Sequence, residues 1–154
     1  MSLTTFDKPE SLRDHVGEEI GVSDWFEVAQ ERINLFAEAT LDSQWVHTDP
    51  ERCARESPFG GPVAHGYLTL SLIPHLLWES VAIREPSRLT VNYGLNRARF
   101  PAPVLAGTRI RARSTVKAVE DFEGGVQVTL SVVVEIEGKE KPACVVEVVF
   151  RYYR

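Results

Sequence analysis

The stretch HGYLTLSLIPHLLWES, His65 to Ser80, decides the fold of this chain. Leu68, Leu70, Leu72, Ile73, Leu76 and Leu77 occupy nearly every face of a helix here, with only small polar residues between them. A helix apolar all round is expected to be buried. Pro74 falls inside it, lacks an N–H and should kink or divide it. After Ser87 the apolar period changes to two. In TRIRARSTVKAVE, residues Ile110, Ala112, Ser114, Val116 and Ala118 share one face, and in GVQVTLSVVVEIEG, Val126, Val128, Leu130, Val132, Val134 and Ile136 do the same. PACVVEVVFRYYR is apolar on both faces in part. The connections Glu120 to Gly125 and Glu137 to Lys141 have hairpin length and carry glycine. A preceding strand, Arg88 to Phe100, contains Gly94, which marks a bulge or a close approach to the backbone. One buried helix followed by four long antiparallel strands predicts an α+β arrangement, a curved sheet wrapped around the helix.

Upstream, Pro9 to His15 reads as a short helix and Ser23 to Gln30 as a first strand. QERINLFAEAT then places Ile33, Phe36, Ala37 and Thr40 at helical spacing, ending at Thr40. Asp49-Pro50 has the form of a helix start, with Asp as N-cap and Pro at the first position, leading a short helix through Arg55. With 154 residues and no repeat or linker, a single domain over 1–154 is expected. A net charge of −5 argues against nucleic acid as a partner, and no window approaches the length of a membrane span. Cys53 and Cys144 lack the dense spacing of a disulfide scaffold and read as free thiols. The N-terminus has no leader pattern, so a cytoplasmic location is expected by default.

Chemistry-bearing residues crowd ahead of the apolar helix, in ATLDSQWVHTDPERC (Ala39 to Cys53) and FGGPVAHGYLTLSL (Phe59 to Leu72). Asp42 and His47, five residues apart on a loop, can converge on one water; in a helix, positions i and i+5 diverge by about 140°. His47, Asp49, Cys53 and His65 are alternatively a set of metal donors, but His-x-Asp-x-x-x-Cys matches no strong zinc pattern and no metal is expected. Asp42 alone could equally cap a turn, and His47 alone could be a structural donor.

From Phe36 onward, these motifs together resemble the MaoC-like hydratase/dehydratase family, the (R)-specific enoyl-CoA hydratases, in the branch that includes nodulation-protein-N-like proteins. The resemblance rests on Asp42 and His47, Asp49, Phe59-Gly60, Ala64-His65-Gly66 with Ser71 beyond, and NYGLNRARFPAPVLAGTRIRA (Asn92 to Ala112). It implies the hot-dog fold, a homodimer or higher homo-oligomer, and a site near the subunit interface. Val133, Val145 and Val149 on the outer sheet face suit such pairing. The chain departs from the family pattern at Leu41, where glycine is expected, and at Gln44-Trp45 in place of Asn-Pro. Glycine reaches positive φ freely and leucine does not, so the turn carrying Asp42 should differ in detail.

The resemblance implies reversible hydration of a trans-2-enoyl-CoA to an (R)-3-hydroxyacyl-CoA without an added cofactor, the thioester of CoA or of acyl-carrier protein being the substrate. Such a reaction needs a base for water, a proton donor for the α-carbon, and stabilisation of charge on the thioester oxygen. Asp42 and His47 are the expected pair for the first two. The N–H of Gly66 at the helix start is expected to serve the third, with glycine letting the thioester approach. Ser71 is read as a hydrogen bond orienting His47 or the substrate, and His65 as shaping the turn beside the substrate. Between Arg84 and Lys117 the chain carries +7 against −12 elsewhere. Arg99 and its neighbours in that strip either attract CoA phosphates or form a solvated face balanced by Glu135 and Glu137. Trp45, Tyr67, Trp78 and Tyr93 are candidates for limiting acyl-chain length. A hot-dog thioesterase and a silent acyl-thioester-binding subunit are the competing functions.

Overall fold

The computed structural model describes residues 2–154. Strands β1 (Thr4–Phe6), β2 (Glu19–Val22) and β3 (Phe26–Glu27) precede helices α1 (Gln30–Thr40), α2 (Trp45–Thr48), α3 (Pro50–Glu56), α4 (Gly66–Ser71) and α5 (Ile73–Ser80). Then follow β4 (Val81–Ile83), β5 (Leu89–Arg99), β6 (Arg109–Phe122), β7 (Gly125–Ile136) and β8 (Cys144–Tyr153). A 3-10 turn over Pro9–His15 stands where a short helix is expected. The antiparallel sheet runs β2-β6-β7-β8-β5, with β3 also on β6, and β1 pairs in parallel with β4.

The predicted meander β6-β7-β8 forms as expected. Ile110, Ala112, Ser114 and Val116 point inward with all six alternate β7 residues, against Leu68, Leu72, Ile73, Leu76 and Leu77 of α4 and α5. Each buried aliphatic side chain stabilises by about 1.5–3 kcal/mol, so this contact dominates the fold. The register of β6 slips between Val116 and Ala118, and from there the inward phase is lost, leaving Ala118 half-buried. At the following hairpin, Gly125 admits the neighbouring strand: a Cβ there would meet the Tyr152 carbonyl oxygen at 2.0 Å. Gly94 lies at a register shift on β5, with nothing within 4 Å of its Cβ position, so the bulge is the reading that applies.

The apolar helix divides at Leu72, because Pro74 cannot donate to the Leu70 carbonyl. Its burial is one-sided, contrary to the all-round apolar expectation. The sheet curls over only part of the helix, and Tyr67, Ser71, His75 and Trp78 face outward at spacings of three and four.

The strand predicted over Ser23 to Gln30 shrinks to Phe26–Glu27. Ser23 explains the loss: its N–H donates to the Ala112 carbonyl and its Oγ accepts the Ala112 N–H, both at 2.9 Å, so a side chain replaces a ladder partner. Gln30 belongs to α1, where its amide donates to Asn34 and to the His47 carbonyl. No helix among the described residues is long and apolar enough to cross a membrane.

Burial pushes the Cys144 thiol up to about 11, and burial with Asp49 nearby raises that of Cys53; both thiols are free and buried. The Ser114 hydroxyl lies in the core without a hydrogen-bond partner. A buried orphan hydroxyl costs about 1–3 kcal/mol. Ser114→Ala is therefore expected to raise stability by about 1 kcal/mol, read as a higher urea midpoint with unchanged slope; a lower midpoint would show that the hydroxyl is satisfied in solution.

Candidate active site

Three segments converge at the start of α4. Helix α1 ends at Leu41, which adopts φ 63° and ψ 17°, the sole non-glycine residue with positive φ among those described. The turn carrying Asp42 is thus left-handed in spite of leucine. Thr40 Oγ1 donates to the Phe36 carbonyl and stands 3.4 Å from the Asp42 nitrogen, closing the turn from the helix side. Thr48 Oγ1 reaches the Ser43 and Gln44 carbonyls from the other side. Asp42 is presented in solvent, whereas His47 on α2 is half-buried.

His47 Nδ1 lies 2.7 Å from the Val63 carbonyl. A carbonyl only accepts, so Nδ1 carries a proton, and in the neutral imidazole Nε2 keeps the lone pair. The backbone of His47 is held by Gln30 at 2.7 Å. Val63 is itself clamped: its N–H donates to Val46, the next residue's N–H donates to Val104, and it bridges to Leu105. The base-forming tautomer of His47 is therefore built into the fold.

His65 occupies the N-cap position of α4 without capping it. Its side chain is 3 % exposed and turns back to Asp42, with Nε2 2.9 Å from the Asp42 carbonyl oxygen and 4.0 Å from Oδ2. The rings of His47 and His65 stack at 3.8 Å with 22° between planes, and the Phe36 ring, tilted by 57°, lies 4.9 Å from that of His65.

Asp42, His47 and His65 bring one donor atom each within 4.8 Å of one another. The metal set read from the sequence is not assembled. Asp49 accepts from the Arg52 N–H, as predicted for a cap, and Cys53 Sγ donates to the Trp45 and Val46 carbonyls. His65 Nε2 is engaged with the Asp42 carbonyl oxygen and its Nδ1 is buried, and His47 Nδ1 is engaged with the Val63 carbonyl.

Gly66 opens α4 where expected, but its open side is already filled: a Cβ would stand 3.1–3.2 Å from the Phe100 ring. Glycine here admits an aromatic neighbour, a role that sequence reasoning missed. Ser71 does not reach His47; its hydroxyl donates to the Tyr67 carbonyl at 2.7 Å. It lines a mainly apolar groove of about 290 Å³ between α4–α5 and the β5–β8 strands, with Leu70, Pro74, Asn92, Leu95 and Val148. None of Trp45, Tyr67, Trp78 and Tyr93 lines it.

The basic strip is largely spent on ion pairs. Arg109 pairs with Glu137, Arg111 and Arg113 with Glu135, Arg113 with Glu19, Lys117 with Glu147, and Arg84 with Asp7. Burial pulls the Glu135 carboxyl upward, but its two arginines outweigh that and hold it below the usual range. The balanced-face reading therefore holds for these residues. Arg99, at the end of β5 beside Phe100, donates to the Ala98 carbonyl at 2.8 Å.

Comparison with known proteins identifies the family. The pattern of the MaoC like domain matches residues 11–137. The chain is 49% identical over 151 residues to a Mycobacterium tuberculosis protein named 3-hydroxyacyl-thioester dehydratase Z, covering 97% of this chain and 99% of that one. It is 44% identical over 130 residues to nodulation protein N of Rhizobium leguminosarum bv. viciae, covering 83% and 80%. The crystallised (R)-hydratase of A. caviae superposes with a TM-score of 0.71 at 24% identity over 89% of this chain and 96% of that one, placing both in one fold. An antiparallel sheet wrapped on a central helix, the family pattern over residues 11–137 and the 49% identity over nearly the whole chain lead to one conclusion: the chain belongs to the MaoC-like family of hydratases and dehydratases.

Proposed function

We propose that this protein reversibly hydrates a trans-2-enoyl thioester of CoA or acyl-carrier protein to the (R)-3-hydroxyacyl thioester, with Asp42 and His47 as the catalytic pair. The observation that carries the reading is the His47 imidazole, which brings a ring nitrogen within 4.8 Å of the Asp42 carboxylate while its Nδ1 stands 2.7 Å from the Val63 carbonyl. In the hydration direction a water sits between the two groups. His47 Nε2 takes one proton as the water oxygen bonds to the β-carbon. The electron pair of the double bond moves toward the thioester oxygen; the proton taken from water is then returned to the α-carbon by the Asp42–His47 pair, which collapses the enolate to the thioester and restores both groups to their starting protonation. The N–H at Gly66 is the proposed donor to that oxygen, and Arg99 is the proposed contact for the carrier's phosphates. The (R) configuration is proposed on the resemblance alone, and no cofactor enters this scheme.

The apolar groove beside Ser71 is the proposed seat of the acyl chain. One methylene in an apolar pocket is worth about 1–3 kcal/mol, so narrowing the groove should discriminate by length. Leu70→Trp is expected to raise KM for a long enoyl-CoA about tenfold while leaving crotonyl-CoA within threefold; equal effects on both would place the chain elsewhere.

We further propose that two copies associate. Strand β5 is exposed almost throughout, and Tyr67, Trp78, Leu89, Tyr93 and Leu95 leave a broad apolar face uncovered along it and the central helix. Sedimentation equilibrium should then give twice the chain mass of 17.3 kDa or a higher multiple, and the single-chain mass at micromolar concentration would overturn it.

Purified protein given crotonyl-CoA should remove the enoyl absorbance without releasing thiol. Thiol release would indicate a thioesterase, and binding without turnover a silent subunit. Asp42→Asn and His47→Asn, checked for folding by circular dichroism, should each lower kcat about 10²- to 10⁴-fold, the range for general acid–base groups. Full activity in either folded variant would remove that residue from the mechanism.

A further inference from the structure

We infer that His65 is a positioning residue for the catalytic pair, holding Asp42 by its main chain and His47 by its ring, and that it does not bind substrate. This rests on the proposed roles of Asp42 and His47.

Three uses of a histidine at a helix start make different demands on its two nitrogens. A cap would accept an N–H of the first turn, yet His65 makes no side-chain cap bond. A substrate ligand would present a free nitrogen to the cavity. The nitrogen left over here, Nδ1, is buried and has no hydrogen-bond partner, so a ligand has no surface of it to touch. The third use fits every observation. Nε2 faces an acceptor-only carbonyl at 2.9 Å and donates to it, which fixes the residue next to the strained Leu41. The ring lies flat on His47 at 3.8 Å, and Phe36 packs against it at 4.9 Å. His47 is thus located along its ring edge by Val63 and across its ring face by His65.

The orphaned Nδ1 is evidence that position is what this residue supplies. Leaving a buried polar atom unpaired is unfavourable, and a leucine or phenylalanine would avoid the cost. Only a side chain combining a flat face with a donor at its far edge meets both His47 and the Asp42 carbonyl.

Two substitutions separate the ring from the donor. His65→Phe keeps the flat face and loses the N–H; His65→Gln keeps an N–H near the position of Nε2 and loses the ring. With crotonyl-CoA, His65→Phe is expected to lower kcat about 10²-fold with KM within threefold, and His65→Gln to retain kcat within about tenfold of the parent. In an Asp42→Asn background, His65→Phe should cost less than a further twofold, because it acts through a carboxylate already removed. Amide hydrogen exchange across 41–44 should accelerate at least tenfold in His65→Phe and stay near the parent rate in His65→Gln. Should phenylalanine prevent folding, His65→Leu serves as the donor-free variant. A kcat within twofold of the parent, a loss confined to KM, or a full further loss in the Asp42→Asn background would overturn the inference. If the parent protein does not turn over enoyl-CoA, the function proposed above fails. Exchange across 41–44 then decides the positioning role alone, and rates unchanged by loss of the donor would overturn it.

Discussion

An imidazole with one proton donates from one nitrogen and accepts at the other, and at this site backbone carbonyls decide which is which. Val63 takes the Nδ1 proton of His47, and the Asp42 carbonyl takes the Nε2 proton of His65. The two histidines, though stacked, are in opposite tautomers: one keeps its lone pair at Nε2, the other at a buried Nδ1. Had the carbonyls been exchanged for donors, both assignments would reverse and His47 would offer a proton where a base is wanted. The rest of the structure can be read as the means of putting those two oxygens in place.

The Val63 oxygen is placed by long-range packing. Residues 63 and 64 are pinned between α2 and the segment at Val104 and Leu105, and they lead directly into α4. Helix α4 sits where it does because its apolar side meets the concave face of β6, β7 and β8. The Asp42 oxygen is placed locally, by the end of α1 and a left-handed residue. One half of the pair therefore inherits the rigidity of the core, and the other hangs on a short exposed turn that needs Thr40, Thr48 and His65 to hold it.

This division also explains what could be read from the sequence. The long strands were legible because alternation over a dozen residues has one solution in a half-buried sheet, and the helices because 3.6-residue spacing and Asp49-Pro50 are local signals. Asp42 and His47 were legible as a pair because a loop spacing and a family pattern agree. What escaped depended on partners distant in the chain. β1 pairs with β4 some seventy-five residues later, and Ser23 interrupts a strand by bonding to Ala112. Phe100 fills the space that Gly66 leaves, and Gln30 holds the His47 carbonyl. His65 was read as a turn-former, since its helix-start position is visible in sequence and its carbonyl partner is not. The all-round apolar helix misled differently: composition reports the burial a helix needs, but a sheet of this span covers only one side of it.

Leu41 is where local and global demands part. A left-handed leucine costs about 1–2 kcal/mol relative to the right-handed form, and burial offers no return, for its side chain is 87% exposed. Glycine would remove the strain but would also free the unfolded chain and the turn itself. Leucine keeps the turn narrow in conformational space at the residue before the proposed catalytic carboxylate, while hydrogen bonds on both flanks prevent the backbone from relaxing toward the helical well. Violations of local preference collect where a site must be held in one geometry. An exposed, strained leucine next to Asp42 follows that rule, and it makes the position of the carboxylate a property of the turn and its anchors rather than of the core.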